Sequence, residues 1–113
     1  MDIYHIWCEL KPGVRDLDFV SSAQAYLAFM EEEGLLAGYR ITRRKLGLAA
    51  DGLREFHLML EFVDMTQLDE AFGLAASRAG VVEGLHAAVY SKVEEPRFAL
   101  YRDFPDEVRE LDP

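Results

Sequence analysis

Residues 55–62 read Glu-Phe-His-Leu-Met-Leu-Glu-Phe. Phe56, Leu58, Leu60 and Phe62 share one phase, and Glu55, His57, Met59 and Glu61 share the other. A side-chain period of two is that of a strand with one buried face. The first phase is wholly apolar, which predicts a sheet face covered by helices. The second carries two carboxylates and an imidazole, types that face water, a ligand or another polar surface.

The rest of the chain supplies partners for such a strand. Over residues 3–10, Tyr4, Ile6, Cys8 and Leu10 alternate with Ile3, His5, Trp7 and Glu9, and Lys11-Pro12-Gly13 predicts the turn that follows. Asp16 is the expected cap of a helix whose stripe is Phe19, Ala23, Tyr26, Leu27 and Met30, with Gly34 as its C′ residue. A second strand is expected over 39–46, with Tyr39 and Ile41 in the core phase and Arg40, Thr42 and Arg44 opposite. Leu46 breaks that alternation, so the strand bulges or ends near Lys45. A one-residue slip would exchange Arg40 and Arg44 for Arg43 and Lys45. Residues 47–54 form a long hairpin loop.

Asp64 and Gln67 have the spacing of a capping box, ahead of a stripe of Leu68, Ala71, Phe72, Ala75, Ala76 and Ala79. Val82, Leu85, His86, Val89 and Val93 predict a short extra helix that Pro96 stops. A last strand over 97–103 sets Phe98 and Leu100 against Ala99, Tyr101 and Asp103, and an acidic tail follows from Asp106.

The order strand, helix, strand, strand, helix, strand is the split β-α-β plan. The expected fold class is α+β: a ferredoxin-like βαββαβ domain over 1–113, its four-stranded antiparallel sheet carrying both main helices on one face. In the strand order 4-1-3-2, the first strand lies beside the third. The uncovered face would then hold Ile3, Trp7 and Met59 among polar residues. Apolar side chains on an open sheet favour a cover. A second copy meeting face to face is the economical one, which predicts a homodimer.

Composition narrows the partners. A net charge of −9 opposes nucleic acid and anionic membrane surfaces. No apolar run approaches the roughly 18–20 residues of a membrane span. One cysteine, Cys8, fits a reducing cytoplasm, and no secretory leader is read at the N-terminus. Against this acidic background, Arg40, Arg43, Arg44 and Lys45 place four cations in six positions. They would either guard a strand edge or grip a small anion.

Several segments carry a resemblance. Tyr4-His5-Ile6-Trp7-Cys8, Lys11-Pro12-Gly13-Val14-Arg15, Thr42-Arg43-Arg44-Lys45-Leu46-Gly47, Glu55-Phe56-His57 and Ala99-Leu100-Tyr101-Arg102-Asp103-Phe104-Pro105 together span most of the chain. The sequence resembles the dimeric α/β-barrel superfamily, and within it a small bacterial family of uncharacterised proteins. The resemblance implies two ferredoxin-like protomers packed sheet to sheet and carries no established catalytic residues. The superfamily includes haem-degrading and quinone-forming monooxygenases, chlorite-dismutating and dehalogenating enzymes, and stress-induced proteins. The haem-degrading type would call for an asparagine-containing site, and the chain has no asparagine.

The candidate site residues lie on the uncovered face. His5, His57 and Glu61 are types that transfer protons or bind a divalent metal, and equally types that form a hydrogen-bonded interface network. Trp7 and Tyr101 would stack on a planar ligand or anchor an interface. Arg40 and Arg44 would hold a carboxylate or pair with Glu55 and Glu61. No metal motif, phosphate loop or nucleophile elbow is present, so no metal or cofactor is expected. Cys8 falls in the apolar phase as a buried small residue, and His86 is expected at the surface or in a capping role, with reach to a cavity mouth as the alternative. Two functions follow: a homodimer binding a small anionic or aromatic molecule, between sheet and helices or within the barrel, as a monooxygenase- or isomerase-like enzyme without cofactor, or a non-enzymatic, stress-related dimer.

Overall fold

The computed structural model of the chain describes residues 1–105, and the acidic tail expected from Asp106 lies outside them. Four strands and three helices follow in the order β1 (Asp2–Leu10), α1 (Asp16–Glu32), β2 (Gly38–Arg43), β3 (Phe56–Phe62), α2 (Met65–Ala76), α3 (Gly80–Tyr90) and β4 (Val93–Arg102). The sheet is antiparallel with order β2-β3-β1-β4. This is the ferredoxin-like plan with one added helix, α3, which packs against α1.

The phases of the sequence set the register. Tyr4 pairs with Leu60 and Ile6 with Leu58 on one side of β1, and with Leu100 and Phe98 on the other. On β2, Tyr39 pairs with Leu60 and Ile41 with Leu58, so the slip by one residue does not occur. Phe56, Leu58, Leu60 and Phe62 are all buried, and they meet Phe19, Ala23, Leu27 and Met30 of α1 and Leu68 and Ala71 of α2 in one core. Burying a large apolar side chain is worth about 1.5–3 kcal/mol, so this helix-side face holds the layers together.

The chain ends α1 with a Schellman motif. Gly34 adopts φ +75°, its N–H donates to the Glu31 carbonyl at 3.0 Å, and the Leu35 N–H donates to Met30 at 2.9 Å. Asp64 caps α2 by accepting from the Gln67 N–H at 2.9 Å, while the Gln67 amide oxygen accepts from the Val63 N–H at 2.7 Å.

Three local expectations are corrected. Asp16 is the first helical residue rather than the cap. Arg15 stands at the cap position without a side-chain bond, and Asp16 instead accepts from Arg43 at 2.9 Å. Strand β2 ends at Arg43, and Leu46 and Gly47, both at positive φ, turn the chain between the Lys45 carbonyl and the Leu48 N–H. Pro96 lies inside β4 and does not terminate α3, which stops at Tyr90 and leaves Val93 to the strand. Strand β4 is an edge and tolerates a residue without N–H. There Glu95, at φ +52°, and Pro96 stand opposite the single residue Cys8, a bulge between the pairs Trp7–Arg97 and Glu9–Glu94.

Candidate functional site

On the uncovered sheet face, neighbouring strands bring four of the expected residues into one cluster. Trp7 pairs directly with His57, and His5 sits two residues away on the same face. His5 Nδ1 and His57 Nε2 lie 2.8 Å apart, one nitrogen donating to the other. The Trp7 indole is parallel to both imidazoles, at 4.5 Å from His57 and 5.5 Å from His5 between centroids, with interplanar angles of 10° and 12°. The two imidazoles are themselves only 5.1 Å apart, so both lie on the same side of the indole. Tyr101 meets His5 edge-on at 4.9 Å. Burial pushes the pKa of both histidines down, and for His57 the neighbouring His5 charge adds to it.

The other expected residues stand apart from this cluster. Glu61 pairs with Ile3 and Gly38 and makes no hydrogen bond to either imidazole. Arg40 is exposed opposite Met59, and Arg44 lies beyond the end of β2. Neither arginine makes an ion pair among the described residues. Arg43 takes that role, pairing with Glu55 at 2.7 Å and Asp16 at 2.9 Å and lying over the Phe56 ring. The described residues contain no group of three or more His, Cys, Asp or Glu side chains arranged to hold a metal ion.

A cavity of about 320 Å³ opens between the helices and the other face of the sheet. Its walls are apolar, formed by Ile6, Leu60, Phe62, Phe72, Ala75 and Phe98 among others. Four polar side chains border it: Tyr4 from β1, Tyr26 from α1, His86 from α3 and Arg78 from the α2–α3 turn. His86 is stacked on Tyr26 at 5.2 Å and held edge-on by Tyr90 at 5.1 Å. Burial raises the pKa of the Tyr4 and Tyr26 hydroxyls, and neither hydroxyl has a hydrogen-bond partner among the described residues. A cavity of this size, with a few convergent polar groups on apolar walls, has the make-up of a small-molecule site.

The sequence favoured a surface or capping role for His86 over a cavity mouth, and the structure brings it to the cavity. The available signal was its position within the apolar stripe of Val82, Leu85 and Val89, where a polar residue requires a reason. Part of the α2 stripe is open for the same cause: Phe72 and Ala76 are exposed and border the cavity.

A family profile matches residues 1–112. The chain belongs to the family of unknown function DUF6614. No functionally curated protein matches the sequence. The fold is shared with solved structures of low sequence identity. A protein of Arabidopsis thaliana superposes with a TM-score of 0.71 at 8% identity, over 95% of this chain and 99% of that one. SnoaB, a cofactor-independent oxygenase from Streptomyces nogalater, gives 0.63 at 10% identity over 93% and 98%. A dimeric ferredoxin-like protein of unknown function from Thermobifida fusca gives 0.59 at 17% identity over 89% and 90%. No helix among the described residues is long and apolar enough to cross a membrane.

Proposed function

We propose that this DUF6614 protein is a homodimer whose protomers meet through the uncovered sheet face, each binding a small organic ligand in the helix–sheet cavity. The observation that carries the ligand site is the set of four polar groups converging on an apolar cavity. Its walls fit an aromatic or alicyclic body. His86 is positioned to accept a proton from an acidic hydroxyl of that body, and Arg78 to compensate the negative charge that forms. A group that activates its substrate by deprotonation alone suits an oxygenase or isomerase without cofactor, and the likeness to SnoaB supports that class. Support for the dimer comes from the half-buried aromatic cluster on the open face and from the dimeric Thermobifida relative. The lone Cys8 fits a reducing, cytoplasmic setting.

The test uses Ala75→Phe, which fills the cavity from α2. Native mass spectrometry should give two chains, and a panel of phenols and enolisable ketones should yield hits that raise the melting temperature. Those shifts should vanish in the variant. A monomer would sink the dimer, and equal shifts in both proteins would sink the cavity as the site.

A further inference from the structure

A second cavity, of about 290 Å³, lies where the uncovered sheet face meets the loop 44–55 between β2 and β3. Three kinds of side chain line it. Trp7 and His57 give an aromatic floor, Leu48 and Leu53 an apolar wall, and Arg44 and Lys45 a cationic rim. The loop is built to present them. Positive φ at Leu46 and Gly47 reverses the chain between Lys45 and Leu48, and a second turn from Ala50 to Leu53 brings Leu53 back toward the sheet.

The charges at this cavity are unequally committed. Arg43 is neutralised by Asp16 and Glu55, and Arg54 faces Glu95 at 3.9 Å. Arg44 and Lys45 have no acidic partner among the described residues, in a chain of net charge −9. Uncompensated adjacent cations at the rim of an aromatic-floored cavity attract an anion, and a guanidinium binds a carboxylate through two parallel hydrogen bonds. The exposed Leu48, at 79% of its accessible surface, has no packing role in the protomer and is available to a ligand body. The acidic field of the whole chain, with Glu55 also at this cavity, favours one negative charge over two.

We infer that this hairpin-end cavity is a binding site for a small planar aromatic monocarboxylate. The ring lies between Trp7 and the Leu48–Leu53 wall, and the carboxylate meets Arg44 and Lys45. The site shares no lining residue with the helix–sheet cavity, so it stands whether or not that cavity takes a ligand; it rests on a dimer contact that leaves the loop side of Trp7 open.

Trp7 is the chain's single tryptophan and lines this cavity, so its fluorescence responds to binding there. The full-length protein is titrated with benzoate, with benzyl alcohol as the neutral counterpart, and with inorganic phosphate. Benzoate should change the emission saturably. Benzyl alcohol should bind at least tenfold more weakly, and phosphate should produce no saturable change. Arg44→Gln/Lys45→Gln, two exposed positions, should weaken benzoate at least tenfold with the far-UV spectrum unchanged, whereas Ala75→Phe should leave the curve as it is. Equal binding of benzyl alcohol, or of the double variant, would overturn the role of the cations. Saturable phosphate binding of equal strength would overturn the planar carboxylate in favour of a free-anion site. Loss of the response in Ala75→Phe would place the binding event in the helix–sheet cavity and overturn the proposal.

Discussion

His5 Nδ1 lies 2.8 Å from His57 Nε2 across β1 and β3, and this hydrogen bond requires at least one neutral imidazole. Both pKa values sit below the ordinary 6.5. As pH falls below 6.5, the unfolded chain binds protons that the folded chain resists, so stability present above 6.5 is lost on acidification through the lowered folded-state values. The melting temperature should therefore decline between pH 7 and pH 5. His57→Gln keeps a hydrogen-bonding group but does not titrate, and its decline should be shallower. Equal slopes for the two proteins would show that the pair carries no linkage.

Trp7 is the centre of the same face, stacked on both imidazoles. If that face is the dimer contact, Trp7→Glu places a charge in the middle of an isologous interface, where it meets its own copy's surroundings. Light scattering after gel filtration should show a monomer, with the helix and strand content retained because the core lies on the opposite face. A Trp7→Glu protein that stays dimeric would put the contact elsewhere.

The cap of α2 is a separate, local source of stability. Asp64 accepts the Gln67 N–H at 2.9 Å, and its loss leaves an orphan donor in the first turn. Asp64→Ala should cost about 1 kcal/mol in urea unfolding with an unchanged m-value. No measurable loss would mean that water or the Gln67–Val63 bond satisfies the turn equally well.

The sheet was legible in the sequence because a strand's phase is written in a few adjacent residues. Phe56 to Phe62 specify which face is buried, and the pairs Tyr4–Leu60 and Ile41–Leu58 follow from matching apolar phases. The order β2-β3-β1-β4 came from the sequence of elements. Pro96 misled because a bulge is a property of two strands: Glu95 and Pro96 fit in β4 only opposite Cys8. Asp16 misled because it has a more distant partner in Arg43. On the open face, the meeting of His5, Trp7, His57 and Tyr101 was readable from register, whereas Glu61 and Arg40 share the face but lie too far along it. A ligand space between sheet and helices was one of two expected places, but the residues that border it were not readable. Tyr4, Tyr26, Arg78 and His86 come from four separate segments, and no local pattern joins them.

Cys8 offers a last test of how tightly the sheet closes against its helices. The residue is 2% exposed, in the core phase of β1 beside the bulge. Burial and the Glu9 charge push its thiol up to about 11. Only the thiolate attacks a disulfide reagent, and at pH 7.5 both its ionised fraction and its access are minimal. The native protein should therefore react with a chromogenic aromatic disulfide at least a hundredfold more slowly than the protein in 6 M guanidinium, because a thiol pKa of about 11 leaves a thiolate fraction roughly 300-fold below that of an ordinary thiol near 8.5. The native rate should rise with sub-denaturing urea as β1 and β4 open. If Cys8 reacts in the native state at the unfolded rate, the edge at Glu95 and Pro96 opens readily, and the bulge is a weak point of the sheet rather than a seal.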